Sequence, residues 1–172
     1  MLLRLAVFGG GMVLAAMLLP GLATSYLNRA PTDDTPAKPA QASPAKYAGG
    51  KGVLLEASAG GHFFGTFTIN GRKQDGLVDT GASVIAINIS TARRLGISTG
   101  SLSFSAQVNT ANGAIKAARV VLDRVEIGTI AVRDVEAMVL PDKSLSGMLV
   151  GMSFLNRLSS YRVENGALHL TR

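Results

Sequence analysis

Three Asn-Gly pairs, Asn70-Gly71, Asn112-Gly113 and Asn165-Gly166, each stand between short apolar segments. Both residue types tolerate positive φ, which a two-residue hairpin turn requires at its centre. From Gly52 onward such turn signals recur about every eight to twelve residues, and no long stretch keeps a helical period. A chain punctuated this way folds as an all-β unit, a barrel or a sandwich. Strands are expected over Val53–Ala57, His62–Ile69, Arg72–Val78, Val84–Asn88, Ser103–Thr110, Ile115–Ile127, Ile130–Leu140, Ser159–Val163 and Ala167–Thr171. Two short helices interrupt them. Ser90 is the expected N-cap of one over Thr91–Leu95, closed by Gly96, and the other lies near Ser153–Leu158.

The first fifty of the 172 residues differ in composition from the rest. The remaining stretch, 52–172, is long enough to bury a core without staples, and the chain has no cysteine to supply a disulfide. With His62 and His169 as its two histidines and no thiol, an ordinary zinc site is not expected, and neither histidine is assigned more than a surface or strand position. The formal charge of +6 raises the question of nucleic acid. Over 52–172, however, 12 Lys/Arg face 9 Asp/Glu, a balance of +3. They are scattered as singles and pairs such as Arg72-Lys73 and Arg93-Arg94, without interleaved aromatics, so a mildly basic solvated surface is the better reading.

Residues 1–27 form a short basic start followed by 23 positions, Leu5 to Leu27, without a charged side chain. At about 1.5 Å per residue a helix of that length crosses a bilayer core. The same stretch reads as a cleavable signal, with small residues at Gly21 and Ala23. A retained anchor is favoured because apolar character continues through Tyr26 and Leu27. No polar face interrupts the run, which speaks against a buried helix of a soluble core. Residues 28–51 carry Pro31, Pro36, Pro39 and Pro44 among small polar residues and read as a flexible tether. The domain 52–172 is then expected beyond the membrane, on the periplasmic side of a bacterial inner membrane, or free in the periplasm if the leader is removed.

The stretch that carries chemistry is Leu77-Val78-Asp79-Thr80-Gly81-Ala82-Ser83, an apolar strand that delivers one carboxylate into a tight turn. A carboxylate behind two apolar residues needs partners, because burying an isolated charge is expensive. Gly81 lets backbone N–H groups approach it, and the Thr80 hydroxyl can brace the turn. The plain alternative is a turn aspartate bonded to its own backbone. About seventy residues later stands an apolar pair before glycine, Leu149-Val150-Gly151.

These two elements together resemble the retropepsin-like aspartic peptidases, in particular single-domain bacterial members anchored in a membrane. The resemblance spans Val53 to Arg172 and implies a closed β-barrel lobe with one or two short helices. It implies Asp79 as the catalytic carboxylate, with Thr80, Gly81 and Ala82 supporting the catalytic loop. Thr110, Ala111, Asn112 and Gly113 would form the flap over the substrate, and Leu149, Val150 and Gly151 would pack beneath the active site. The glycine-rich flap tip of the viral enzymes is absent here. Neither a metal nor another cofactor is implied.

A pepsin-type chain carries two such motifs, but here Asp34-Thr35 is followed by Pro36, so a second carboxylate must come from a second copy. In aspartic-protease dyads generally, two carboxylates about 3 Å apart do not ionise together, so one takes a proton from water while the other donates one to the scissile carbonyl. The resemblance thus implies a homodimer acting on a polypeptide. Ala167–Thr171 is expected as an edge strand available to that interface. The competing reading is a binding or dimerisation module that keeps the fold without catalysis. No histidine and acid accompany Ser83, Ser146 or Ser153 in a pattern that would make a serine hydrolase.

Overall fold

Asn70 and Gly71 adopt φ of 49° and 83°, and Asn165 and Gly166 adopt 51° and 75°. Both pairs therefore form hairpin turns of the expected kind, joining strands in register: Ile69 with Arg72, and Glu164 with Ala167. The computed structural model describes the backbone of 46–48 together with residues 52–110 and 113–172. The expected membrane segment and most of the tether lie outside the described residues. Among the described residues no helix is long and apolar enough to cross a membrane.

The elements in chain order are β1 (Lys46–Ala48), β2 (Gly52–Glu56), β3 (Phe63–Ile69), β4 (Arg72–Val78), β5 (Ile85–Asn88) and α1 (Ile89–Arg94). They are followed by β6 (Ala106–Thr110), β7 (Gly113–Ile127), β8 (Ile130–Leu140), a 3₁₀ turn (Asp142–Ser144), β9 (Met148–Val150), α2 (Met152–Leu155), β10 (Ser160–Glu164) and β11 (Ala167–Thr171). A seven-stranded sheet runs β3-β4-β9-β5-β8-β7-β6, and an extra pairing of β3 with β7 closes its first six strands into a barrel. β6 hangs from β7 outside that closure. The expectation of a closed all-β lobe with two short helices therefore stands.

The barrel is filled by alternating side chains, among them Phe67, Ile69, Ile85, Ile87, Leu122, Val125, Ile127 and Val139, all fully buried. Phe154 of α2 packs its ring edge-on against Phe67, with centroids 5.9 Å apart, an arrangement worth about 1 kcal/mol beyond area burial. The second sheet, β1-β2-β11-β10, adds Val53, Leu55, Leu168 and Leu170 to the same core.

Two expectations are corrected here. The N-cap of the first helix is Asn88, whose side chain accepts from Thr91 N–H at 2.7 Å. Ser90 instead lies in the first turn, where its N–H and hydroxyl both donate to Asp142. Asn and Ser are comparable caps, and a carboxylate 52 residues away decides between them. Gly96 does close the helix in the left-handed region, at φ 82°. The second correction concerns Ala167–Thr171, which is no edge, because β11 pairs with β10 on one side and β2 on the other. The edge beside it is β10.

Candidate active site

β4 ends at Val78 but its parallel pairing with β9 continues one step, because Asp79 N–H donates to the Val150 carbonyl at 3.0 Å. The chain then turns sharply. Gly81 N–H donates to Asp79 Oδ1 at 2.8 Å, and Ala82 N–H to the Asp79 carbonyl at 3.2 Å. Asp79 is half-buried, Thr80 and Gly81 are exposed, and Ala82 is half-buried. The turn thus presents a carboxylate at the surface with one oxygen already holding a backbone donor.

Beneath the turn lies Leu149-Val150-Gly151. Leu149 and Val150 pair with Leu77 and Val78, while Leu149 and Met148 pair with Ala86 and Ile87 of β5. A Cβ on Gly151 would collide with the carbonyl oxygens of both Ala82 and Val84. That close approach lets Met152 N–H reach the Ala82 carbonyl at 2.8 Å and Ser153 N–H reach that of Ser83 at 3.0 Å. The start of α2 is therefore sewn to the loop that follows Asp79.

Sequence reasoning sets Ser153 aside as a nucleophile for want of a His and an acid and gives it no other role. Its hydroxyl accepts from Ile85 N–H at 3.0 Å and donates to the Glu136 carbonyl at 2.8 Å, joining β5, β8 and α2 behind the turn. Its place in the first turn of a short helix right after an apolar-apolar-Gly element was the one available signal.

The register aligns Leu77, Leu149, Ala86, Met138 and Arg119 in a single row across β4, β9, β5, β8 and β7. The first four are half-buried and Arg119 is exposed, whereas their strand neighbours Val150, Ile85, Ile87, Ala137, Val139 and Ala118 are buried. The row is thus the outward face of the barrel wall, and Asp79 stands two residues beyond its first member. A groove of about 280 Å³ at the far end is lined by Val84, Arg119, Val121, Glu136 and Met138.

Asp79 also borders a cleft of about 380 Å³ with His62, Phe63, Val78, Thr80, Tyr161 and Val163. His62 is exposed there, and Arg162 on the same wall is paired with Glu164 at 3.1 Å. Of the residues expected to form the flap, Thr110 and Gly113 pair across the β6–β7 hairpin, with the Thr110 hydroxyl donating to the Gly113 carbonyl at 2.8 Å. Ala111 and Asn112 lie outside the described residues.

A family profile described as "gag-polyprotein putative aspartyl protease" matches residues 65–157, just over half of the chain, from β3 through the site to the end of α2. The chain belongs to the retropepsin-like aspartic proteases. Retropepsin-like kinship is also evident in a solved structure: the crystal structure of a retropepsin-like aspartic protease from Rickettsia conorii is 34% identical, with a TM-score of 0.62 over 69% of this chain and 89% of that one. EIAV protease complexed with the inhibitor HBY-793 shares the retropepsin-like fold at 16% identity, with a TM-score of 0.50 over 60% of this chain and 93% of that one.

Two bacterial sequences are also similar. The "Uncharacterized protein in cobV 5'region" of Sinorhizobium sp is 39% identical over 69% of this chain and 51% of its own length. The "Uncharacterized protein RP867" of Rickettsia prowazekii (strain Madrid E) is 35% identical over 69% of this chain and 50% of its own. The chain spans about half the length of the curated relatives it matches.

Proposed function

We propose that this retropepsin-like protein is an aspartic endopeptidase, assembled as a homodimer in which each copy contributes Asp79. The observation that carries this reading is the Asp79 turn. A carboxylate is held at the surface by Gly81 N–H, backed by Val150 and Gly151, at the head of an apolar row suited to side chains of an extended peptide. Water between two such carboxylates loses a proton to the ionised one as its oxygen attacks the peptide carbonyl. The protonated carboxyl gives its proton to the carbonyl oxygen. On collapse of the tetrahedral diol the protonated carboxyl gives its proton to the departing amine while the ionised one takes a proton from a diol hydroxyl, so the pair ends as it began, sharing one proton.

The second carboxylate has to come from another chain, and β10 supports where that chain would dock. β10 is an unpaired sheet edge, with Tyr161 37% and Val163 62% exposed, although both are apolar and both border the Asp79 cleft. Such an edge invites pairing with a second strand. Two β10 strands meeting antiparallel about a two-fold axis would set Tyr161 of each copy against Val163 of the other. Residues 5–27 would anchor the dimer in a bacterial inner membrane with the catalytic domain on the periplasmic side.

The deciding experiment purifies the full chain in detergent micelles beside an Asp79→Asn twin and incubates both with a peptide library from pH 4 to 7. Cleavage by the parent that disappears in an equally dimeric twin supports the reading. A folded, dimeric parent that cleaves nothing sinks it in favour of a binding module.

A further inference from the structure

β9 is three residues long and is held by two register pairs on each side, so its placement depends on the loop that delivers it. That loop, residues 141–147, leaves β8 and is tied at two points to the start of α1. Asp142 Oδ1 accepts Ser90 N–H at 2.8 Å, and Asp142 Oδ2 accepts the Ser90 hydroxyl at 2.9 Å. Asn88 uses its carbonyl oxygen to cap Thr91 and its amide nitrogen to donate to the Leu145 carbonyl at 2.9 Å. Within the loop, Ser144 N–H closes back on the Pro141 carbonyl at 2.9 Å. Both ends of the loop are therefore fixed by side chains, one of them a carboxylate gripped by two donors.

We infer that Asp142 is a positioning residue for substrate recognition: its clasp on Ser90 sets Leu149 in the apolar row beside Leu77 and Ala86. This rests on the peptidase reading and adds a determinant of substrate fit remote from the reacting carboxylate. Asp79 is held by Gly81 N–H on its carboxylate and by Ala82 N–H on its carbonyl, neither of which passes through the loop, while its own N–H donates to Val150 at the end of β9 farthest from the loop. Opening the clasp should thus loosen the wall that a substrate side chain meets while leaving the reacting group in place. The effect belongs in KM more than in kcat.

The charged groups around Asp142 favour a closed clasp. Arg93 and Arg94 of α1 act on the carboxylate, and Lys143 is its chain neighbour. The two Ser90 donors, with a smaller contribution from those arginines, hold Asp142 below the ordinary carboxylate range. The clasp then stays ionised to lower pH than an unpartnered aspartate would.

The test uses the full chain in micelles with Asp142→Ala, Asp142→Asn and Ser90→Ala, reading amide hydrogen exchange over 141–150 and steady-state cleavage of a peptide found for the parent. In Asp142→Ala, exchange over 141–150 rises about tenfold while the β3–β4 hairpin is unchanged, because only the local opening is affected. KM rises several-fold with kcat within about twofold. Asp142→Asn, whose amide oxygen still accepts Ser90 N–H, falls between the two. Unchanged exchange in Asp142→Ala overturns the clasp whether or not the protein cleaves anything. A loosened loop with unchanged KM overturns its role in recognition. A parent that cleaves nothing, yet shows the exchange change, overturns the peptidase reading and with it the assignment to substrate recognition.

Discussion

Gly151 lies so close under Ala82 that the carbonyl oxygen of Ala82 occupies the space a side chain would need. The obstructing atoms are backbone, so no rotamer change relieves the clash, and a second carbonyl, that of Val84, blocks the other direction. Gly151 itself has φ −97°, where any residue is at ease, so the demand is for space rather than for backbone freedom. Gly151→Ala should cost about 3 kcal/mol, at the upper end of what overpacking does. Thermal denaturation that finds the variant as stable as its parent would contradict this packing.

Ser153 of α2 joins the backbones of two strands, β5 and β8, through one hydroxyl. In Ser153→Ala the Ile85 N–H loses its acceptor and the Glu136 carbonyl its donor. Leaving such groups unpaired costs about 1 to 3 kcal/mol. Urea titration should show a lowered midpoint with an unchanged m-value, the signature of lost stability without a change in the surface exposed. A changed m-value would point instead to a rearranged denatured or native state.

Val163 is 62% exposed, so replacing it with glutamate should leave the monomer folded. Across a two-fold β10 contact the same change places charge against Tyr161 of the other copy. Val163→Glu should therefore sediment as a monomer with native circular dichroism and lose most of its cleavage. Persistence of the dimer would move the interface away from β10.

If both carboxylates of the pair are needed, mixing equal amounts of parent and Asp79→Asn under exchanging conditions should reduce cleavage to about a quarter of that expected for the total protein, the fraction of dimers with two parent copies. Activity falling only to half would mean that each copy works alone or that the copies do not exchange, and subunit exchange of tagged copies separates those two.

Asp142 gives a pH dependence with a definite sign. Its folded-state pKa is depressed by the Ser90 N–H and hydroxyl, and further by Arg93 and Arg94. The stability it contributes is present above the unfolded carboxylate range and is lost as pH falls through the lower folded-state value. Asp142→Asn should therefore lower the melting temperature near neutrality, where the carboxylate's contribution is complete, and flatten the acid limb below about pH 4, the ordinary aspartate range, so that the two profiles converge in acid. An acid limb identical to the parent's would show that Asp142 does not titrate in this way.

Local chemistry made much of this fold readable. Asn70-Gly71 and Asn165-Gly166 declared their hairpins because few pairs accept two positive φ values in succession, and Asp79-Thr80-Gly81 stood out behind an apolar strand. Non-local pairing was hidden. Ala167–Thr171 looked like an edge because nothing in its own residues announces that β2, over a hundred positions earlier, covers its far side. Ser90 looked like a cap because its competitor for that role, Asn88, sits two residues away and Asp142 acts from another loop. The site followed the same division: the carboxylate and its glycine were legible, whereas the Ser153 brace and the row from Leu77 to Arg119 exist only once five strands are aligned.

β7 changes partners midway. It pairs with β6 from Gly113 to Ala117 and with β8 from Ala118 onward. The change-over falls on two adjacent alanines, both fully buried, where the usual in-and-out alternation is broken. One unbroken strand is thus a hairpin arm on one side of that point and a stave of the barrel on the other. The hairpin is a crowbar with its fulcrum inside the protein, so any swing of its outer end must be registered by the packing around Ala117 and Ala118 rather than absorbed by a slack joint.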